Sequence, residues 1–142
     1  MASSSRPLED ATSGSVQAPN FLDPAERKRL SGPGFRVFLG VCDKLGLSVA
    51  QRRRLLGNIS ETTYYRWRAS GVRALSADHL ERISLVLGIF KGLRLLFADD
   101  AMGLRWLRAP NRDVPFAGRS PLDTMLRGSI DNLFAVRRYI DA

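Results

Sequence analysis

Residues 48–68 read SVAQRRRLLGNISETTYYRWR, and the way this stretch folds decides the rest of the chain. Ser48 with Gln51 three positions on has the form of a capping box, so a helix opens at Val49. It ends before Gly57-Asn58, a pair that punctuates helices. Ser60 caps a second helix, over 60–69, and Gly71 can close it. Two short helices separated by Gly57-Asn58-Ile59 have the dimensions of a helix-turn-helix. The apolar positions agree. Val49, Leu55 and Leu56 can face inward on the first helix, and Ile59 plugs the corner. Tyr64 and Trp67 are three apart and share one face of the second helix. The opposite face carries Ser60, Glu61, Thr62, Tyr65, Arg66 and Arg68, with Thr63 at the boundary.

That outer face has the chemistry a DNA groove requires. Arginine bonds bidentately to guanine, and serine or threonine bonds base edges and phosphates. Tyr65 offers a hydroxyl to phosphate and a ring to a thymine methyl. Arg52, Arg53 and Arg54 sit on the preceding helix, which crosses the phosphate backbone in this motif. Residues 47–75 hold six arginines against one acid, Glu61, and so carry most of the net charge of +8. The expected DNA contacts are Arg52, Arg53, Ser60, Thr62, Thr63, Tyr65, Arg66 and Arg68. The competing reading is a helical hairpin with a solvated basic face.

Outward from this motif, capping signals recur and no alternating β-branched run builds a strand, so the fold class is all-α, with seven or eight helices. Asp23-Pro24-Ala25-Glu26 resembles a capping box, and Ser31-Gly32-Pro33-Gly34 is expected to break the helix that follows. Phe35, Phe38, Leu39, Cys42 and Leu45 then recur at helical spacing, and Gly46 can close that helix. Ser76 opens a long apolar stretch through Phe97. Its residues are apolar nearly all round, which predicts burial on more than one side. Gly88 and Gly92 suggest two helices or a bend. This stretch reads as the central core, and it can add a homodimer interface suited to a two-fold operator. Further helices start at Asp99 or Asp100, at Ser120-Pro121 and after Gly128-Ser129. The expected division is a disordered tail over 1–20, a DNA-binding region over 21–75 and a second helical unit over 76–142.

The 142 residues are 44% hydrophobic and 25% charged, a globular composition that excludes disorder throughout. The basic excess points to an anionic partner. One cysteine, Cys42, excludes a disulfide framework, and no signal-peptide core or membrane span is evident, so the expected location is the cytoplasm. Catalysis finds no support. His79 is the only histidine, no His/Cys cluster fits a metal, and no glycine-rich phosphate loop follows a strand. The reading is therefore a non-enzyme without metal or cofactor.

The C-terminal half carries an ordered set of features. Trp106-Leu107-Arg108-Ala109-Pro110-Asn111 is followed by Phe116-Ala117-Gly118-Arg119-Ser120-Pro121-Leu122-Asp123, then Gly128, Val136 and Ile140. This order resembles the toxin-binding domain of the Xre/MbcA/ParS antitoxin family over residues 76–142. Residues 48–75 resemble the Xre-type helix-turn-helix found ahead of that domain. The resemblance implies an antitoxin whose C-terminal domain covers the active site of a NAD-consuming RES-domain toxin, while its helix-turn-helix represses the shared operon. Trp106, Pro110, Asn111, Phe116 and Gly118 read as shaping the loop rather than touching the toxin. The last helix, with Phe134, Arg137, Arg138 and Tyr139 flanking an apolar stripe, is the expected toxin contact. The alternatives are a stand-alone dimeric helix-turn-helix regulator and an adaptor that binds an acidic protein.

Overall fold

A computed structural model describes residues 20–142, and these form seven helices with no strand among them. They are α1 (Pro24–Leu45), α2 (Val49–Leu55), α3 (Glu61–Ser70), α4 (Ala77–Leu96), α5 (Asp100–Arg108), α6 (Pro121–Met125) and α7 (Ile130–Asp141). The tail expected over 1–20 lies, apart from Asn20, outside the described residues.

Every helix starts at a side-chain cap. Asp23, Ser48, Ser60, Ser76, Asp99, Ser120 and Ser129 each accept a hydrogen bond from a first-turn amide. Each cap satisfies an otherwise orphaned donor, a contribution of about 1 kcal/mol apiece. Only Ser48 forms the reciprocal box, with the Gln51 side chain reaching back to the Ser48 amide at 2.9 Å. At Asp23 the expected partner Glu26 turns away and pairs with Arg29 at 2.6 Å.

The break expected at Ser31-Gly32-Pro33-Gly34 does not occur; α1 runs through it as one helix of 22 residues. Tertiary packing overrides the local signal here. Ser31 is fully buried, and Phe35, Phe38 and Cys42 continue the same inward stripe. Neither Gly32 nor Gly34 is required by crowding, since an added Cβ would make only ordinary contacts. A Cβ on Gly32 would stand 3.7 Å from the Val72 carbonyl, and one on Gly34 would stand 3.9 Å from Leu80. Pro33 sits on the exposed side, where its missing donor leaves the buried stripe intact.

Helix α4 is the axis of the molecule. It packs against α1 on one side and α7 on the other, so its apolar residues are buried around most of its circumference. It is one uninterrupted helix, and its two glycines mark close approach. The Arg137 guanidinium lies over Gly88, and the Ile140 side chain lies over Gly92. The buried residues form one cluster running from Phe35 to Ile140, so no gap in the core separates the two halves. Two arginines reinforce this, Arg82 from a buried position and Arg108 from an exposed one. Arg82 on α4 bonds Asp78 at 2.9 Å and donates to the Gly128 carbonyl at 3.1 Å. Arg108 at the end of α5 donates to the Leu45 carbonyl at 2.9 Å, holding the C-terminus of α1.

Candidate nucleic-acid interface and protein-binding face

Helices α2 and α3 pack at the turn Gly57-Asn58-Ile59. Gly57 takes φ 87° and Asn58 takes φ 66°, left-handed values that glycine and asparagine tolerate best. Leu55 and Leu56 are fully buried, and Val49 and Ile59 are half-buried against the same core. Tyr64 is fully buried too, edge-on to Phe35 at 6.4 Å, and Trp67 packs on Phe35 at 5.7 Å. These contacts fix which face of α3 looks outward.

That face carries Ser60, Glu61, Thr62, Tyr65, Arg66 and Arg68, all exposed. Tyr65 rests edge-on against Tyr64, which sets the direction of its ring. Ser60 and Thr63 are tied into the cap: the Thr63 amide donates to the Ser60 hydroxyl at 3.0 Å, and the two hydroxyls lie 2.9 Å apart. Thr62, Tyr65, Arg66 and Arg68 are therefore the side chains of this face that extend outward from α3 without a cap to serve.

The arginines of α2 divide by role. Arg52 is turned inward, bonding the Leu47 carbonyl at 3.0 Å, the Tyr64 hydroxyl at 3.3 Å and Asp43 at 2.7 Å. Its side chain is only 12% exposed, so it braces the motif. Arg53 donates to the Ile59 carbonyl at 2.8 Å and so clamps the turn, with Glu61 at 3.9 Å. Arg54 is the exposed member of the three.

At the other end, α7 lays Leu133, Val136 and Ile140 into the core. Phe134 and Tyr139 are half-buried against that core. Tyr139 stacks on Trp106 at 5.9 Å, meets Phe116 edge-on at 4.9 Å, and donates its hydroxyl to Asp113. The carboxylate of Asp113 raises the Tyr139 phenol above its usual range. Trp106 and Phe116 thus pin the 109–119 loop, as the sequence predicts. Asn111 closes it through its backbone, donating to the Arg119 carbonyl at 3.0 Å and accepting from the Gly118 amide at 2.8 Å, and Gly118 takes φ 90°. Arg137 pairs with Asp141 at 2.8 Å over Gly88, while Arg138 is exposed. Of Phe134, Arg137, Arg138 and Tyr139, only Arg138 stands fully out. Sequence reasoning overlooked two exposed leucines, Leu95 and Leu96, at the end of α4. The signal was available: consecutive leucines point about 100° apart on a helix, so a single packing partner cannot bury both.

Among the described residues, no group of His, Cys, Asp and Glu is placed to hold a metal ion, and no helix is long and apolar enough to cross a membrane.

Fold and site together define the class: an all-helical protein with a cationic helix-turn-helix ahead of a small helical binding module. Residues 24–88 match the antitoxin Xre-like helix-turn-helix domain, and residues 92–142 match the antitoxin Xre/MbcA/ParS C-terminal toxin-binding domain. The chain belongs to the Xre/MbcA/ParS antitoxin family, the inhibitor half of toxin–antitoxin pairs. It is also similar to a relative named "Uncharacterized protein y4oB" from Sinorhizobium fredii (strain NBRC 101917 / NGR234), with 40% identity over 106 residues, 75% of this chain and 80% of the relative.

Proposed function

We propose that this antitoxin acts in the cytoplasm as a homodimer with two separate helical surfaces. One represses its own operon; the other neutralises a RES-domain toxin by covering the toxin's NAD-consuming active site. The outward face of α3 is the observation that carries the reading. Thr62, Tyr65, Arg66 and Arg68 stand clear of the core on a helix whose back is locked by Tyr64 and Trp67. Docked in a major groove, these side chains read base edges, and Arg54 on α2 reaches a phosphate. Arg52 and Arg53 contribute by holding the motif in shape. Arg138 is the exposed arginine of α7 available to the toxin.

The test separates the two surfaces. Arg66→Ala should weaken operator binding, and the wild-type complex should dissociate steeply as salt rises. The same variant should neutralise the toxin as well as wild type does. Loss of both activities in a folded Arg66→Ala protein would end the proposed division of labour. Deleting α7 is not a clean complement, because Leu133, Val136 and Ile140 belong to the core. Arg138→Glu leaves that core untouched and is the informative change on the toxin side.

A further inference from the structure

The structure assigns a second feature to toxin recognition: an apolar corner where α4 meets α5, built on Leu95 and Leu96. This rests on the proposed toxin neutralisation and adds the place where the partner is gripped.

Leu95 is 79% exposed and Leu96 59%. Neither contributes to the hydrophobic core. Lysine or arginine would hold the last turn of a helix equally well, so helix propensity does not account for leucine at either position. Met102 on the first turn of α5 is exposed beside them in sequence. Of the seven large hydrophobic residues exposed among the described residues, these three flank one helix junction in sequence, inside the span that matches the toxin-binding domain.

The corner opens onto a groove of about 360 Å³ lined by Leu96, Phe97, Trp106, Tyr139, Ile140 and Ala142. The groove continues to the end of α7, so one partner can cover both. Phe97 also borders a neighbouring polar hollow lined by Arg94, Asp99 and Asp100. Arg94 bonds Asp100 through two contacts, at 3.1 and 3.0 Å, and lies over the Phe90 ring at 4.7 Å. An apolar centre with a polar rim on preorganised helices is the anatomy of a protein–protein interface. The matching partner surface is an apolar protrusion on the toxin, which the leucines and the groove receive together.

The experiment uses the full chain purified together with a co-expressed RES-domain protein. Leu95→Glu combined with Leu96→Glu should weaken that complex by about tenfold or more, with an unchanged circular dichroism spectrum and unchanged operator binding. Leu22→Glu, at an equally exposed leucine before α1, should leave the affinity as it is. If the double variant holds the toxin within threefold of wild type, the corner is not the grip. If the free double variant falls from dimer to monomer, the corner joins two copies of this chain and the assignment is overturned. If wild type itself does not bind the RES-domain protein, the neutralisation reading fails first and carries this inference with it.

Discussion

The backbone amide of Leu75 donates a 2.8 Å hydrogen bond to the hydroxyl of Ser31, joining positions 44 residues apart. Ser31 in turn donates to the Arg27 carbonyl and is fully buried. A residue that reads as a helix breaker is thus the anchor for the strap between α3 and α4. Ser31→Ala leaves the buried Leu75 amide unpaired and should destabilise the protein by about 1–3 kcal/mol. Urea denaturation should show a lower midpoint with an unchanged slope. An unchanged midpoint would mean that another acceptor or water takes over.

The two glycines of α4 should respond differently to alanine, although both would gain helix propensity of about 1 kcal/mol. At Gly88 the new Cβ meets the tip of the flexible Arg137 side chain, which can swing away. At Gly92 it meets the Cγ2 methyl of Ile140 at 2.4 Å, and that side chain is β-branched and buried. Gly88→Ala should be neutral or slightly stabilising. Gly92→Ala should destabilise by about 1–3 kcal/mol through overpacking of α7. Equal thermal midpoints for the two variants would refute this contrast.

Burial pushes the Cys42 thiol up to about 12. The unfolded chain ionises first, near 9, so above that value it holds fewer protons than the native state. Stability should therefore fall as pH rises from 9 towards 12, and Cys42→Ala should remove that part of the slope. The native thiol should also resist iodoacetamide at pH 8 and react only on unfolding.

His79 behaves in the opposite sense. It packs against Trp67 at 5.4 Å, and its Nδ1 is buried without a hydrogen-bond partner among the described residues. Burial lowers its pKa, and Arg82 adds to this, while Asp78 pulls the other way. The unfolded chain therefore takes up the proton first on acidification, and stability should drop as pH falls through about 6.5. In His79→Gln that drop should disappear. A wild-type protein equally stable at pH 7.5 and 5.5 would show that His79 is protonated in place at no cost.

Much of this fold was legible because capping is local chemistry. Ser48, Ser60, Ser76 and Ser120 each announce a helix start a few residues away, and Tyr64 and Trp67 announce an inward face at spacing three. Pro33 misled because the propensity rule sees only its own turn. What held α1 together was Ser31 meeting Leu75, a contact far along the chain. The glycines of α4 misled for the same reason: their meaning lies in Arg137 and Ile140 on another helix. At the candidate DNA face the residue types were readable but their commitments were not. A run of three arginines does not reveal that Arg52 is bonded to Tyr64 and Asp43 and that Arg54 is left outside.

Helix α4 serves as a wall shared by two rooms. The stretch from Ala77 to Leu96 completes the interior behind the helix-turn-helix and, on its other flank, the interior beneath α7. A cut anywhere along it would strip hydrophobic cover from both halves at once. Exchange of modules between related antitoxins should therefore carry this helix intact, and grafting a foreign DNA reader requires repacking α1 against it.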